Sequence, residues 1–432
     1  MAASGRTSTG WFAVARAAEV GTRPVPVGAG GRAYVVVRLR TGGEVSAFPA
    51  RCPHRLVPLA AARVVEGRLE CPYHGWRFDD EGRCVTVPSL GPDGSPPPRA
   101  DLSMPWAVEE RHGWIWLAPE RTPVPLPRPA GMPALEPVPG PPGPAGPVLG
   151  NLDPSLEHAW HPLALSRELR PGGWLQVRLL GRTWMLRRGA GGLAADPPAF
   201  GVRERLGVVW LAPAQPYDSP LEVPEDGDRR FVSTWLPPVR SPGPAGPLAD
   251  TFLDVGHAPF VHSRIGGPPD AAEIPAFAVS SEDGGFRAEL ERAYETPHHP
   301  GGVDGPPVRR RATYTYRVPF QLRLRLDSPD SGAVTTVLCL LQPEDADSTR
   351  VYTRMLMSAG PGERLPGPEE LAREVAIQRQ VLAEDLDLQA RLPQCGLPLG
   401  TRDEVHVPAD RPGVALRRAL CDFAAATARL AA

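Results

Sequence analysis

Two cysteines and two histidines stand in two short clusters near the start of this 432-residue chain. Cys52 and His54 form a C-x-H pair, and Cys71 and His74 form a C-x-x-H pair, with sixteen residues between the pairs. The RVVEGRLE stretch before the second pair predicts a hairpin that turns at residues 66–67 and brings the clusters together. Each loop tip then offers one thiolate and one imidazole to a shared metal group.

This mixed ligand set has two interpretations. A [2Fe–2S] centre with two cysteines on one iron and two histidines on the other needs such a pair of fingers, and the neutral imidazoles raise its reduction potential. A structural zinc also accepts two sulfur and two nitrogen ligands, although zinc sites more often pair like with like. The flanking CPHR and CPYHGW resemble the Rieske iron–sulfur motif. The resemblance implies a [2Fe–2S] cluster on Cys52, His54, Cys71 and His74.

A second candidate group lies in ADTFLDVGHAPFVH, residues 249–262. His257 and His262 are five residues apart, about 140° around an ideal helix, so they share a face only if the helix is broken. Gly256 and Pro259 are placed to break it. Two neutral imidazoles could bind iron if a carboxylate supplied a third ligand. A structural role for both histidines is the alternative.

The third ligand is expected in a helix over residues 367–393, which proline and two glutamates open and proline closes. Three carboxylates compete within it. Asp385 lies on the apolar side, Asp387 near Arg391 on a solvated face, and Glu384 between the two. Because an unpaired carboxylate facing a core costs several kcal/mol, the pattern favours Asp385.

The D-x₂-H-x₄-H pattern downstream of a Rieske motif resembles the terminal oxygenase (large or alpha) subunit of Rieske non-haem iron oxygenases. The chain resembles the monooxygenase, demethylase and pheophorbide a oxygenase-like branches, and VLAEDLDLQ resembles the late carboxylate helix of the family. The resemblance implies a mononuclear Fe(II) on His257, His262 and Asp385. It also implies that Asp254 is an electron-transfer bridge to His74 of a neighbouring subunit.

Three other positions bear on this interpretation. Asp250-Thr251 stands where the family often has Asp-Asn, near the electron path, so the details of that path stay open. His158 and His161 are expected to have surface or packing roles. The adjacent pair His298 and His299 lies in a glycine-rich stretch and is expected to be solvated.

An internal repeat follows the first domain. Residues 160–188 match residues 11–40, and residues 202–213 match residues 108–119, in the same order. The equivalent of residues 52–107, which hold all four cluster ligands, is missing from the second copy. The predicted domains are a Rieske [2Fe–2S] domain over 1–121, a proline- and glycine-rich linker over 122–149, a degenerate Rieske-like domain without cluster ligands over 150–220, and a catalytic mononuclear iron domain over 221–432.

The predicted fold class is α+β. Segments such as TYTYRVPFQLRLRL and AVTTVLCLLQP alternate apolar and polar residues and predict antiparallel strands. With the late helix they resemble the helix-grip (START-like) catalytic domain of the family. GAGGRA, residues 28–33, fits a loose dinucleotide-binding pattern, but a strand-like run follows it where a helix is required, so we expect a hairpin turn.

Composition limits the remaining functions. A net charge of −2 argues against nucleic-acid binding, and no apolar run is long enough for a membrane span or a signal peptide. We therefore expect a cytoplasmic protein. Since no nucleotide or flavin site is evident, electrons from NAD(P)H should arrive through a separate reductase or ferredoxin.

The resemblance implies O₂-dependent oxidation, by hydroxylation or demethylation, of a hydrophobic aromatic or polycyclic small molecule by a homotrimer. Desaturation or oxidative cyclisation in natural-product biosynthesis uses the same kind of iron site and is an alternative. A non-catalytic Rieske electron-transfer protein and a zinc-bound regulatory subunit are the alternatives from other classes.

Overall fold

A computed structural model of the chain describes residues 10–129, 131–262, 267–269, 272–294, 308–392 and 396–430. It confirms the predicted α+β class, with antiparallel sheets and a smaller number of helices. Two compact units are distinguished. Of the described residues, unit 1 comprises those within 1–143, 268–273 and 402–407, and unit 2 comprises those within 144–267, 274–401 and 408–432.

Unit 1 is built from short antiparallel strands. They are β1 Phe12–Arg16, β2 Val25–Ala29, β3 Arg32–Arg38, β4 Val45–Pro49, β5 Arg63–Val65, β6 Arg68–Glu70, β7 Arg77–Phe78, β8 Cys84–Thr86, β9 Ala107–Arg111 and β10 Trp114–Ala118. Three small sheets result, in the orders β1-β10-β9, β2-β3-β4 and β5-β6-β7-β8. Buried β-branched and aromatic side chains on β2, β3 and β10 form the core between the first two sheets.

Both hairpins predicted in unit 1 are confirmed. Glu66 and Gly67 join β5 to β6 with φ of 51° and 75°, as a two-residue turn of this twist requires. Gly30 and Gly31 join β2 to β3 in the same way, with φ of 58° and 73°. The dinucleotide-like pattern of residues 28–33 is therefore a hairpin turn.

Unit 2 begins with a second group of short strands. They are β11 Val148–Leu149, β12 His161–Leu165, β13 Trp174–Leu179, β14 Arg182–Gly189, β15 Gly192–Asp196, β16 Gly201–Arg205 and β17 Val208–Ala212. The sheet orders are β12-β17-β16 and β13-β14-β15. These orders repeat β1-β10-β9 and β2-β3-β4 strand for strand.

The repeat extends to the register of the strands. Phe12 lies opposite Leu117, with an irregularity two residues into β1. His161 lies opposite Leu211, with an irregularity at the same point of β12. Sequence positions that match in the two copies therefore also match in strand pairing.

Specific side-chain hydrogen bonds are repeated as well. Arg38 Nε donates to Val20 O at 2.9 Å, and Arg188 Nε donates to Leu169 O at 2.9 Å. Each of these arginines also bonds a glutamate of the neighbouring sheet. The tryptophan of the central strand donates to the arginine carbonyl five residues earlier in both copies, at 3.1 Å for Trp116 and 3.0 Å for Trp210.

The copies differ in the connection between their two sheets. Residues 50–106 connect β4 to β9, whereas residues 197–200 alone connect β15 to β16. The longer connection contains both ligand-bearing fingers. Residues 122–147, in the predicted linker, form no helix or strand where the structure describes them.

The remainder of unit 2 is a large antiparallel sheet with helices. Its strands are β18 Val232–Trp235, β19 Val239–Pro242, β20 Ala278–Glu282, β21 Gly285–Tyr294, β22 Val308–Arg317, β23 Gln321–Asp327, β24 Val334–Asp345 and β25 Ser348–Met357. Their order is β18-β25-β24-β23-β22-β21-β20, and β19 also pairs with β25. A final strand, β26 Leu397–Pro398, pairs with β11.

The helices are α1 Ala245–Leu253, α2 Ala258–Val261, α3 Pro368–Gln389 and α4 Arg411–Leu430. The predicted long helix is α3, which Gly367 precedes and whose Glu370 accepts a hydrogen bond from the Gly367 N–H at 2.7 Å. Helix α4 was not singled out from the sequence. No helix in the described part of the chain is both long and apolar enough to cross a membrane.

The two faces of the large sheet have different neighbours. On one face Leu338, Leu340 and Tyr352 pack against Val208 and Trp210 of the repeated strands. Alternation along the strands places another set of side chains on the opposite face. That set includes Tyr314, Leu324, Val337, Cys339 and Met355.

Candidate metal centres

The two fingers of unit 1 share one backbone design. In each, the residue four positions after the cysteine donates its N–H to the cysteine carbonyl, from Leu56 to Cys52 at 3.0 Å and from Gly75 to Cys71 at 3.1 Å. Both donors have positive φ, 54° at Leu56 and 67° at Gly75. Glycine adopts this conformation freely, but leucine does so at a cost. The turn in the second finger can therefore be predicted from Gly75, but the turn in the first finger cannot be predicted from Leu56.

The fingers bring the four predicted cluster ligands together in a buried site. Cys52, His54, Cys71 and His74 are each between 1% and 7% exposed. The two imidazole rings lie 4.3 Å apart, centroid to centroid, and Trp76 stacks on His54 at 4.6 Å. The site is thus closed to solvent on the side of Trp76.

Hydrogen bonds prepare one thiol for metal binding. A hydrogen bond from Cys52, and then the backbone N–H groups of Tyr73 and His74, lower the pKa of the Cys71 thiol against the opposing effect of burial. Burial raises the pKa of the Cys52 thiol. A buried pair of thiols and imidazoles of this kind suits a metal group that replaces the thiol protons. Cys84, which is outside both fingers, is a buried free thiol.

In unit 2 the chain breaks its helix between the two candidate histidines. Helix α1 ends at Leu253, and α2 is a single turn that starts after His257 and ends before His262. Asp254 organises the break, because its Oδ1 accepts hydrogen bonds from the N–H groups of Gly256 (2.8 Å) and His257 (3.2 Å). The predicted interruption is therefore present at Gly256, while Pro259 lies in the first turn of α2, where proline is tolerated.

The break directs three predicted ligand atoms at one point. His257 Nε2 and His262 Nε2 are 3.0 Å apart. Asp385 Oδ1, from α3, lies 3.5 Å from the first nitrogen and 3.2 Å from the second. The three ligand atoms lie within 4.8 Å of one another in a mostly buried site. Asp387, by contrast, is 65% exposed and pairs with Arg391, as expected for the solvated face.

Carboxylates dominate the electrostatics of this group. Burial lowers the pKa of His257, but Asp254 and Asp385 outweigh it and raise the pKa to about 10. Burial raises the pKa of Asp385, and the contacts with His257 and His262 more than offset it. Positive charge is therefore favoured at the point where the ligand atoms meet.

Two family models match successive parts of the chain. Residues 10–103 match the Rieske [2Fe-2S] domain, and residues 244–426 match the vanillate O-demethylase oxygenase C-terminal domain. The chain belongs to the Rieske oxygenase family. The resemblance noted in the sequence is thereby confirmed.

Known relatives of this Rieske oxygenase match over short segments. Protein TIC 55, chloroplastic, of Arabidopsis thaliana is 39% identical over 85 residues, 19% of this chain and 16% of the relative. Methylxanthine N1-demethylase NdmA of Pseudomonas putida is 39% identical over 82 residues, 19% of this chain and 23% of the relative. The matched segments span less than a quarter of either relative. The solved structure of Pseudomonas putida CBB5 NdmA with caffeine is 19% identical, with a TM-score of 0.39 over 94% of this chain and 88% of that chain.

Rieske oxygenase alpha subunits carry a [2Fe–2S] cluster and a mononuclear non-haem iron, so both predicted cofactors are confirmed. The residues present fit the second cofactor. Two nitrogen ligands about 2.1 Å from one metal ion and at right angles lie roughly 3 Å apart, which matches His257 and His262. The carboxylates of Asp254, Glu384 and Asp385 lie around the two imidazoles, and a divalent cation bound at the ligand atoms would offset their negative charge.

Sequence reasoning did not assign a function to Glu384. Its Oε2 lies 2.7 Å from His262 Nδ1, and Gln380 Nε2 donates to its other oxygen at 3.0 Å. A carboxylate on Nδ1 fixes the proton there and leaves the lone pair on Nε2, facing the other ligand atoms. Its place beside Asp385, one helix turn after a glutamine, was the available signal.

The Asp250-Thr251 departure also has a structural setting. Thr251 is 1% exposed, and Gln389 on α3 donates to its hydroxyl at 2.6 Å. Asp250 pairs with the buried Arg417 of α4 at 3.0 Å. These contacts connect α1 to the two long helices. The expected solvation of His298 and His299 falls outside the described residues.

Proposed function

We propose that this Rieske oxygenase activates O₂ at a mononuclear iron to hydroxylate or demethylate a hydrophobic aromatic or polycyclic small molecule. The observation that carries the proposal is the convergence of His257 Nε2, His262 Nε2 and Asp385 Oδ1 on one buried point. In the overall reaction a C–H bond is replaced by a C–O bond, and one O₂, two electrons and two protons yield the product and one water. The electrons are supplied one at a time, as a Rieske centre delivers them.

In this proposal Cys52, His54, Cys71 and His74 hold the cluster. The identical turns of the two fingers, the burial of the four side chains and the backbone N–H groups near Cys71 support the assignment. Trp76 excludes water from the His54 side, which keeps the centre in a low-dielectric setting where nearby charges act strongly.

The roles of the iron ligands follow from their orientation. His257 and His262 present Nε2, while Glu384 holds the proton on Nδ1 of His262. Asp385 supplies the single carboxylate that completes a two-histidine, one-carboxylate set. These residues would hold ferrous iron, which would supply O₂ activation beside the substrate.

Asp254 is proposed as the electron-transfer bridge. Its carboxylate lies 3.6 Å from His257 Nδ1, on the side of the ring opposite the ligand atom. The same carboxylate stabilises the turn that carries His257. Electrons are proposed to reach His257 from His74 of a neighbouring copy through this residue.

The substrate is proposed to contact the face of the large sheet opposite the repeated strands, which bears Tyr314, Leu324, Val337, Cys339 and Met355. Burial, and then the nearby Asp385 carboxylate, raise the pKa of the Cys339 thiol to about 12, which relates this face to the candidate iron site. Apolar side chains around a few polar groups are typical of small-molecule pockets. The relatives named for methylxanthine demethylation and pheophorbide a oxidation support an aromatic or polycyclic substrate.

Electrons from NAD(P)H are proposed to reach the cluster through a separate reductase or ferredoxin, and the working form is proposed to be a homotrimer. A trimer supplies each iron site with the cluster of a neighbouring copy. Both proposals rest on family membership.

The 150–220 segment is proposed to be a degenerate Rieske domain without cluster ligands. The repeated sheet orders, register and arginine–carbonyl bonds support common descent, and the short 197–200 connection leaves no room for fingers. Its β12 and β17 strands pack against one face of the large sheet, so a packing role is proposed. If so, a Cys52→Ala variant of the full chain should lose the entire Rieske electron paramagnetic resonance (EPR) signal.

Metal analysis tests the proposed function. Anaerobically purified and reconstituted protein should contain three irons and two acid-labile sulfides per chain, and a His257→Ala/His262→Ala variant should retain only two irons. Two irons in the wild-type chain, with no reaction with O₂, would instead identify an electron-transfer protein. A colourless protein that binds zinc would identify the regulatory alternative.

The reaction type requires a product assay. Reduced protein is exposed to ¹⁸O₂ with a panel of N-methyl, O-methyl and polycyclic aromatic compounds, and products are identified by mass spectrometry. Incorporation of one ¹⁸O atom or release of formaldehyde supports monooxygenation or demethylation. Loss of two hydrogens without oxygen incorporation would indicate desaturation or cyclisation.

A further inference from the structure

A segment late in the sequence belongs to unit 1. Residues 402–407, which we call the strap, follow β26 and precede α4, yet they pack with the Rieske domain. The Val405 N–H donates to Pro53 O at 2.9 Å. Pro53 is the residue between the proposed cluster ligands Cys52 and His54. The strap is therefore bonded to the peptide that spaces two ligands of the first finger.

The strap also places a charge beside that finger. Arg55 directly follows His54, and its Nη1 donates to Glu404 Oε2 at 2.9 Å. The two side chains are only 6% and 9% exposed. By contrast, the side chains of the Arg32–Glu120 pair in unit 1 are 57% and 75% exposed, so water and salt screen their charges.

Burial changes what such a pair does. Replacing a buried ion pair by apolar side chains is often neutral or stabilising, so the pair is weak evidence for a stabilising role. Its charges, however, act over longer distances than charges in water. The potential of an iron–sulfur cluster depends on the net charge around it and on its exposure to solvent.

We propose that Glu404 sets the reduction potential of the Rieske cluster by neutralising Arg55 at the first finger. An arginine charge next to a ligand favours the reduced cluster, because reduction adds a negative charge. The Glu404 carboxylate opposes that effect and keeps the cluster a stronger electron donor. Glu404 is a positioning and tuning residue and does not contact the cluster in this proposal, which rests on the proposed assignment of the four cluster ligands.

The test is a redox titration of the intact, reconstituted chain, followed by Rieske EPR and visible circular dichroism. Glu404→Gln should shift the midpoint potential upward, and Arg55→Gln should shift it downward. The double variant Arg55→Gln/Glu404→Gln should return towards the wild-type value, because the pair is then neutral as before. Glu404→Asp, which keeps the charge, and Glu120→Gln, at the exposed pair, should leave the midpoint unchanged.

Each outcome decides between tuning and structure. An unchanged midpoint in Glu404→Gln with a full cluster would overturn the proposal. If none of the variants at residues 55 and 404, including Glu404→Asp, assembles a cluster, the pair is a structural clasp and the tuning role is rejected. A wild-type chain without any Rieske spectrum would overturn the proposed cluster ligands, a failure distinguishable from the other two.

Discussion

Single atoms decide the chemistry proposed for this molecule. His262 can offer either ring nitrogen to a metal, and the Glu384 carboxylate at 2.7 Å selects Nε2 by holding Nδ1. Carboxylates that hold metal-binding histidines in this way typically affect metal affinity by about 10- to 100-fold. Glu384 is therefore expected to matter to iron binding without being a ligand.

Glu384→Ala should weaken binding of the mononuclear iron by about 10- to 100-fold and leave the [2Fe–2S] cluster intact. Ferrous affinity is measured by competition with a chromogenic chelator, and the cluster is followed by EPR. Asp387→Ala, an exposed carboxylate on the same helix, is the matched control. Equal affinities in the two variants would contradict the positioning role.

Asp254→Asn should leave both metal sites occupied and nearly abolish turnover. Asparagine keeps an oxygen that accepts from the Gly256 and His257 N–H groups, so the turn survives while the carboxylate charge is lost. Iron content, EPR and the rate of cluster oxidation by O₂ in the presence of substrate are measured. Turnover at the wild-type rate would exclude Asp254 as the bridge.

At this scale, contacts within one loop could be predicted from the sequence, whereas contacts between distant helices could not. Ligand types with short spacing, such as Cys71 with His74, could be predicted because each pair lies on one loop. The interruption between His257 and His262 could be predicted from Gly256. The hydrogen-bond partner of His262 Nδ1 could not, because the contact with Glu384 depends on how α3 packs beside α2.

At the scale of elements, contacts between helices hold the candidate iron site in place. Gln389 on α3 donates to the Thr251 hydroxyl of α1 and to Pro247 O at 3.2 Å. Helix α1 leads into Asp254, and α3 carries Asp385 one turn before Gln389. The Thr251–Gln389 bond therefore fixes the spacing between the proposed bridge and a proposed ligand.

Thr251→Val should lower the free energy of unfolding by about 1 to 3 kcal/mol, because a buried amide loses its hydroxyl acceptor. It should also weaken iron binding, since α3 is less tightly held. Denaturant unfolding and chelator competition are measured, and Gln389→Leu completes a double-mutant cycle. Thr427→Val, a buried threonine bonded only to carbonyls of its own helix in the contacts described, should not alter iron affinity.

His161 on β12 should make stability depend on pH. Burial lowers its pKa from 6.5 to about 4, opposed by the hydrogen bond to Leu156 O. The unfolded chain thus binds a proton before the folded chain does. The contribution of the neutral, buried His161 to the free energy of unfolding is complete above pH 6.5. It is lost as the pH falls towards 4, by roughly 3 kcal/mol in total.

Replacing His161 by Phe, the residue at the matching position 12 of the first copy, should flatten that dependence. Unfolding midpoints are compared between pH 7.5 and pH 5, with His158→Asn as the control. A wild-type chain and a His161→Phe variant with parallel pH profiles would show that this histidine is not responsible.

Elements were predictable where their pattern is local. The alternating strands of the large sheet, the hairpins and α3 all follow from nearest neighbours in sequence. Helix α4 has apolar residues at helical spacing, Leu416, Leu420 and Phe423, so it too could have been predicted. The strap could not, because its position depends on partners far away in the chain, such as Pro53 for Val405. The positive φ of Leu56 likewise could not be predicted, because leucine rarely adopts it.

At the scale of the whole molecule, the chain combines a cluster domain and an iron domain whose proposed cooperation is between subunits. Light scattering combined with size-exclusion chromatography should give a mass three times that of the 46.4-kDa chain. Mixing a Cys52→Ala variant with an Asp385→Ala variant should restore activity if trimers exchange subunits, because each supplies the centre that the other lacks. A monomer that turns over substrate would contradict the arrangement.

The repeated strands give this protein an internal comparison. In the first copy residues 50–106 connect β4 to β9, and in the second copy residues 197–200 connect the equivalent strands β15 and β16. Inserting a second copy of residues 50–106 in place of residues 197–200 tests whether the repeated strands are enough to support a redox centre. Every other part of the polypeptide stays unchanged. A second paramagnetic signal from such a variant would show that the strands of the second copy can also support a cluster. Absence of that signal would show that cluster assembly depends on residues 50–106 and on their surroundings in the first copy.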